Sequence, residues 1–193
     1  MKDITDYIKV YNEGMPLGVM CNFIKSIPIY KLEASAVMGP RDQENHNSII
    51  DKNVRDVEQA SLLEVKSMTQ IHWRNYICYK LSSMISRYKQ EISYHCFSER
   101  FIQLDLLKYR DKGFYTTHID DCEKAHRELS ILYFLNNDYQ GGELNFHHPN
   151  GTIFKTIRPQ ANTIAIFPSN FMFPHSVSPV INGTRYAIVG WTL

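Results

Sequence analysis

NTIAIFPSNFMFPHSVSPVINGTRYAIVGW, residues 162–191, is the stretch on which the fold turns. It contains three apolar, β-branched runs, at 162–167, 174–180 and 184–192, cut by Pro168 and by Asn182-Gly183. Such runs suit a pleated surface with at least one buried face, and an Asn-Gly pair is a strong signal for a tight turn. Three short antiparallel strands are the expectation. The same texture extends back to Phe101. Further strands are expected near 102–110, 115–120, 128–136, 142–147 and 152–158, with breaks at Gly113, Asn136-Asn137, Gly141-Gly142, Pro149-Asn150-Gly151 and Pro159. Short strands at this spacing predict a double-stranded jelly roll or small barrel. The segment ELSILYFLN, residues 128–136, is apolar on both faces and so needs a layer on each side.

That second layer is available in the first hundred residues. A helix is predicted from about Thr69 to Glu91, because Ile77, Leu81, Met84, Ile85, Tyr88 and Ile92 recur at three- and four-residue steps and make one apolar stripe. Two shorter helical stretches are expected at Thr5–Tyr11 and Leu17–Lys25, punctuated by Gly14 and Pro16, and a strand within 30–38. Residues 39–56, GPRDQENHNSIIDKNVRD, are poor in apolar side chains and read as a long mobile loop, either a plain insertion or a lid. The expected fold class is therefore α+β, mainly β. It is a single domain over 1–193, with helical support in 1–100 packed on one sheet of a jelly-roll core in 101–193.

Composition narrows the function classes. With 44% hydrophobic and 21% charged residues the chain resembles an ordinary soluble globular protein, and a net charge of +1 gives no electrostatic footprint for nucleic acid or an anionic membrane. No apolar run is long enough to span a bilayer, and MKDITDYIKVYNEG at the start has no signal-peptide pattern, so an intracellular, cytoplasmic protein is expected. Cys21, Cys78, Cys96 and Cys122 form no CxxC pair, which argues against a zinc ribbon or a disulfide framework.

The chemistry-bearing residues lie in the strand-rich half. In Thr117-His118-Ile119-Asp120 the two-residue period puts His118 and Asp120 on one face. Alone, this triplet fits a polar strand end equally well. His175, in the downstream FPHSVSPV, supplies a second imidazole. Two histidines and a carboxylate can occupy one face of an octahedral metal, an arrangement that favours non-haem iron(II) and leaves positions open. Arg185 lies ten residues further on and shares a strand face with Ala187, Val189 and Trp191. An arginine turned into a small barrel is costly unless an anion meets it, and its planar fork suits a carboxylate. His147-His148 sit beside a turn and read as exposed. His46, His72, His95 and His126 show no ligand pattern.

Three segments in order, LLKYRDKGFYTTHIDD (106–121), RELSILYFLNNDYQGGELNF (127–146) and residues 162–191, resemble the prolyl 4-hydroxylase branch of the iron(II)- and 2-oxoglutarate-dependent oxygenases. That branch includes collagen and hypoxia-sensing prolyl hydroxylases and bacterial and viral relatives. The resemblance is dense from Leu106 to Trp191 and looser before residue 100, where it covers a helix pair, a loop with Arg55-Asp56 and the long helix. It implies a double-stranded β-helix (cupin-like) fold. It also implies iron(II) held by His118, Asp120 and His175, and 2-oxoglutarate with its far carboxylate on Arg185. Dioxygen is the co-substrate, ascorbate a reductant, and succinate and carbon dioxide the products. Tyr109 matches a tyrosine lining the cosubstrate pocket. Tyr115, Arg127 and Trp191 match positions near iron and the substrate entrance. The implied substrate is a prolyl residue in a peptide or protein; free proline or another small amino-acid-like substrate is the alternative within the class. A jelly-roll binding module without catalysis is the alternative outside it, and oxidative demethylation of nucleic acid fits less well. The chain departs from the family at one place. Many relatives have Tyr-Leu-Asn, with the tyrosine bonded to the far carboxylate, where this chain has Phe134-Leu135-Asn136 and a tyrosine one place earlier, at 133. A one-residue offset turns a strand side chain to the opposite face, so Tyr133 is not expected to substitute, and the missing bond is expected to weaken cosubstrate binding by about 1 kcal/mol unless Thr163 or another donor compensates.

Overall fold

The computed structural model describes residues 3–12, 14–38, 48–123 and 126–193. In chain order the strands are β1 (Lys9–Tyr11), β2 (Glu33–Ala34), β3 (Val37–Met38), β4 (Ser48–Ile49), β5 (Glu58–Ser61), β6 (Phe101–Tyr109), β7 (Tyr115–His118), β8 (Leu129–Phe134), β9 (Gln140–Gly141), β10 (Leu144–His147), β11 (Ile153–Ile157), β12 (Thr163–Pro168), β13 (His175–Val177), β14 (Val180–Ile181) and β15 (Arg185–Thr192). The α-helices are α1 (Leu17–Ser26) and α2 (Met68–Ile92).

A seven-stranded antiparallel sheet in the order β1-β12-β8-β15-β6-β5-β2 faces a four-stranded sheet in the order β11-β10-β13-β7. This is the expected double-stranded β-helix. The alternation of β8 shows how the sequence specifies it. Leu129, Ile131 and Tyr133 pack toward the helices, whereas Leu132 and Phe134 pack between the sheets. Strand β15 alternates likewise, with Ile188 outward and Ala187, Val189 and Trp191 inward. Both sides are therefore buried, which explains why residues 129–135 are apolar except at Ser130.

Helix α2 closes the outer face. Ser67 caps it in a reciprocal box with Gln70, and Ser93 ends it in the left-handed conformation. Ile77, Leu81, Ile85, Tyr88 and Ile92 are its buried residues, at spacings of four, four, three and four. Each contributes about 1.5–3 kcal/mol of burial, so packing rather than helix propensity holds this element.

The first hundred residues depart from expectation in four places. The helix expected at Thr5–Tyr11 exists only as a 3-10 turn at Ile4–Tyr7, and Lys9–Tyr11 instead runs as β1 along β12. The cause is tertiary: the edge of β12 offers ladder hydrogen bonds that a short isolated helix would have to forgo. The strand expected within 30–38 is split into β2 and β3. Of the proposed mobile loop, residues 39–47 lie outside the described residues. Its remainder is ordered: Ser48–Ile49 pair with Val37–Met38, and Arg55 bridges to Tyr115. β5 had no counterpart in the sequence reading. It extends the large sheet through four register pairs with β6.

Candidate active site

β7 and β13 are antiparallel neighbours, and their register sets His118 directly opposite His175. The two imidazole centroids are 4.3 Å apart. The ladder slips between His175 and Val177, a local irregularity of the kind that re-aims side chains beside functional sites. Asp120 follows β7 by two residues and points back to the same place. Its Oδ1 is 3.4 Å from His118 Nε2, and its Oδ2 is 3.4 Å from His175 Nε2. Ligand atoms of all three residues lie within 4.8 Å of one another, and no other such cluster occurs among the described residues.

Second contacts fix which atoms are free. His118 Nδ1 is 2.9 Å from the Thr116 carbonyl, and His175 Nδ1 is 3.0 Å from that of Phe173. A carbonyl only accepts, so each Nδ1 carries the proton and each Nε2 lone pair is free for a metal. Ser130 Oγ donates to Asp120 Oδ2 at 2.6 Å, and Ser169 Oγ stands 2.7 Å from Ser130 Oγ. Because Ser130 has spent its proton on the carboxylate, Ser169 is the donor of that second bond. Burial pushes the His175 imidazole down to about 4, against the pull of Asp120 in the other direction. Burial also opposes ionisation of Asp120, but His175, His118 and the Ser130 hydroxyl outweigh it and hold the carboxyl well below its usual range. A neutral imidazole beside an ionised carboxylate is the protonation pattern that metal ligation needs.

Arg185 opens β15 directly opposite Tyr109 of β6, and its side chain is 0% exposed. Its guanidinium lies 4.6 Å from the Tyr109 ring centroid and 5.4 Å from that of Phe134. Nε, Nη1 and Nη2 all lack a hydrogen-bond partner. Buried charge-bearing donors are normally paired, so this is the mark of an anion seat. Tyr109 joins the two halves of the site, for its ring also lines the pocket at the triad, with Leu107, Leu132, Val177, Val189 and Trp191. That pocket measures about 20 Å³, room for one ion or water-sized group. Admitting a dicarboxylate requires rotamer changes in these lining side chains.

Tyr115, expected beside the metal, and Arg127 and Trp191, expected near the substrate entrance, all lie beside the triad. The Tyr115 ring stacks on His118 with centroids 3.6 Å apart, and the Arg55 guanidinium lies 4.6 Å from the Tyr115 centroid. Arg127 covers Trp191 at 4.1 Å, donates to the Asp120 carbonyl at 2.9 Å and to Gln103 Oε1 at 2.7 Å. Gln103 in turn donates to buried Asp105 at 2.6 Å. Ser130, Gln103 and Asp105 were not singled out in sequence. Their signal, a polar side chain within an otherwise apolar strand, is visible but does not say what the polar atom faces. His147 bonds Ser176 and His148 packs on Phe154, both apart from the triad.

The sequence profile of the 2OG-Fe(II) oxygenase superfamily matches residues 104–193. The match takes in the whole strand-rich half of the chain, from β6 to the end of β15. It is 39% identical over 68 residues to human prolyl 3-hydroxylase 3, a match covering 35% of this chain and 9% of that protein. It is 36% identical over 88 residues to a PKHD-type hydroxylase of Maricaulis maris, covering 44% of this chain and 38% of the relative. The chain thus spans well under half the length of these curated relatives. Among solved structures, a Trichoplax adhaerens prolyl hydroxylase in complex with a hypoxia inducible factor oxygen degradation domain peptide fragment shares the fold. Its TM-score is 0.68 at 20% identity, over 98% of this chain and 84% of that one. The residues present fit both groups named by the superfamily. Two free Nε2 atoms and a carboxylate suit iron(II), and the three partnerless nitrogens of Arg185 suit a carboxylate end of 2-oxoglutarate.

Proposed function

We propose that this oxygenase hydroxylates a prolyl residue of a peptide or protein, consuming 2-oxoglutarate and dioxygen and releasing succinate and carbon dioxide. The observation that carries the reading is the pairing of a His118–Asp120–His175 cluster with a buried Arg185, which makes no well-formed hydrogen bond, through Tyr109, whose ring lies against the guanidinium and which lines the pocket at the triad. When bound, iron(II) and 2-oxoglutarate supply oxygen activation coupled to oxidative decarboxylation. The protein's own contribution is positional. The free Nε2 atoms of His118 and His175 and the Asp120 carboxylate hold the metal. Ser130 and the Thr116 and Phe173 carbonyls hold those ligands still. Arg185 fixes the cosubstrate's charged end, and Tyr109 packs between it and the metal. Tyr115 keeps one face of His118 from solvent. The Arg127–Trp191 pair and Arg55 form the rim that a substrate passes. The names of the relatives, and the peptide bound to the structural neighbour, support a prolyl peptide as substrate.

The test combines two readouts. Purified protein with iron(II), ascorbate and 2-oxoglutarate is expected to release succinate slowly without substrate, and His118→Ala or Asp120→Ala to abolish that release. Mass spectrometry of a proline-containing peptide library is then expected to find a gain of one oxygen on proline. Wild-type protein that neither binds 2-oxoglutarate nor turns it over would refute the enzyme reading, and oxygen gained only by free amino acids would refute the peptide substrate.

A further inference from the structure

The far-carboxylate end of the site lacks the hydroxyl that a tyrosine at position 134 would give, and both obvious replacements are already engaged. Tyr133 faces the helices, where its hydroxyl donates to Asn162 Oδ1 at 2.7 Å and accepts from the Met15 amide at 3.2 Å. Thr163 sits opposite Phe134 and faces inward, but its hydroxyl donates to the Gln160 carbonyl at 2.8 Å.

A different phenol occupies the place. Tyr139 leaves the loop before β9 and packs its ring into the apolar cluster between the sheets. Its hydroxyl is buried and has no hydrogen-bond partner. The chain turns immediately afterwards through Gly141 and Gly142, with φ of +70° and +66°. Tyr139 and Arg185 converge over the bare face of Gly142: a Cβ there would stand 2.9 Å from Arg185 Cδ and 3.1 Å from Tyr139 Cε2. Burial raises the Tyr139 phenol, and the Arg185 guanidinium, through its charge and a hydrogen bond to the phenol, draws it back down. One end of the interior thus holds a phenol and a guanidinium that face each other, with no well-formed hydrogen bond on the hydroxyl or on any of the three nitrogens. The phenol oxygen can accept from Arg185, but its proton and the remaining nitrogens can only donate, and nothing among the described residues accepts from them. A ligand that satisfies this set must bring negative charge and at least two acceptor oxygens.

We propose that Tyr139 is a cosubstrate-binding residue that donates its phenolic hydrogen bond to the far carboxylate of 2-oxoglutarate beside Arg185, in place of the tyrosine absent at position 134. The proposal rests on the oxygenase reading above and concerns binding, not the oxidation itself. The ring needs no rearrangement of the sheet, because the loop between β8 and β9 delivers it from outside the alternation that excludes Tyr133.

Calorimetric titration of manganese(II)-loaded protein decides it, using wild type and Tyr139→Phe against 2-oxoglutarate and against 2-oxobutyrate, which keeps the chelating end but lacks the far carboxylate. A hydrogen bond to a charged acceptor predicts at least about a tenfold rise in the dissociation constant of 2-oxoglutarate for Tyr139→Phe. The constant for 2-oxobutyrate should change less than twofold. Equal binding of 2-oxoglutarate by both proteins would overturn the proposal while leaving the oxygenase reading intact. Equal loss for both acids would also overturn it, since the tyrosine would then be acting through the fold. Failure of the wild type to bind 2-oxoglutarate would remove the proposal and the reading beneath it together.

Discussion

Replacing Arg185 with methionine is expected to stabilise the ligand-free protein while destroying its response to 2-oxoglutarate. Arg185 is fully buried, and none of its three guanidinium nitrogens has a hydrogen-bond partner. Compensation comes from the faces of Tyr109 at 4.6 Å and Phe134 at 5.4 Å. Cation–π attraction offsets about 0.5–2 kcal/mol for each ring, less than the several kcal/mol it costs to desolvate an ion. Exchanging a buried ionic group for an apolar one of similar volume gains about 1–4 kcal/mol net of the contacts that the ion made, and the expectation here is about 2 kcal/mol. For a chain of this size that corresponds to a rise of about 4–8 °C in Tm. The opposite sign applies once cosubstrate is present. Saturating 2-oxoglutarate at about 100 times Kd should add about 2.7 kcal/mol to the wild type and nothing to Arg185→Met. Thermal melts of the manganese(II)-loaded proteins, with and without 2-oxoglutarate, should therefore reverse their order. A ligand-free Arg185→Met protein that melts below the wild type, yet is still stabilised by 2-oxoglutarate, would refute the argument. Arg185 would then be a structural residue and the anion seat would lie elsewhere.

Two further outcomes follow from the same geometry. Burial sets the His175 imidazole at about 4 in the folded chain against an ordinary 6.5, so between those values the unfolded chain binds a proton that the folded one does not. Stability of the metal-free protein is then constant above about pH 6.5 and falls by up to about 3 kcal/mol as pH drops toward 4. Urea denaturation at pH 7.5 and 5.0 should show this loss in the wild type and a smaller one in His175→Asn; equal losses would refute it. Gly142→Ala is expected to destabilise the fold by about 2 kcal/mol and to weaken 2-oxoglutarate binding, because alanine must hold a left-handed φ of +66° and its methyl would stand 2.9 Å from Arg185 Cδ. Denaturation and calorimetry that match the wild type would show that this close approach carries nothing.

What was legible in the sequence was whatever the two-residue period of a strand could carry. All eight strands expected after Phe101 are present, and the inward face read for β15, Arg185 with Ala187, Val189 and Trp191, is the observed one. The same period correctly set Tyr133 against the helices and Phe134 toward Arg185. What was not legible depends on contacts between segments far apart in the chain. β1 and β5 are strands because the edges of β12 and β6 accept them, and nothing local in KVY or EQAS requires it. Arg55 lay in a segment read as a mobile loop, yet it docks on Tyr115 and so supports the stack beneath which His118 lies.

Tyr139 shows most clearly where pattern reading stops. It occupies no strand, so neither its face nor its depth follows from counting residues. The informative feature is next to it. Two successive glycines at positive φ are a conformation that side chains resist, and a Cβ on the second would collide with the arginine that sequence reasoning had already marked. In sequence the Gly-Gly pair signals only a turn. It is also the clearance that lets a loop phenol reach a buried guanidinium, and the loss of a hydroxyl from β8 is then compatible with a complete carboxylate seat. On the proposed reading, phenylalanine at 134 and tyrosine at 139 are two halves of one physical requirement: the cosubstrate's charged end must meet enough donors, and which strand or loop supplies them is secondary.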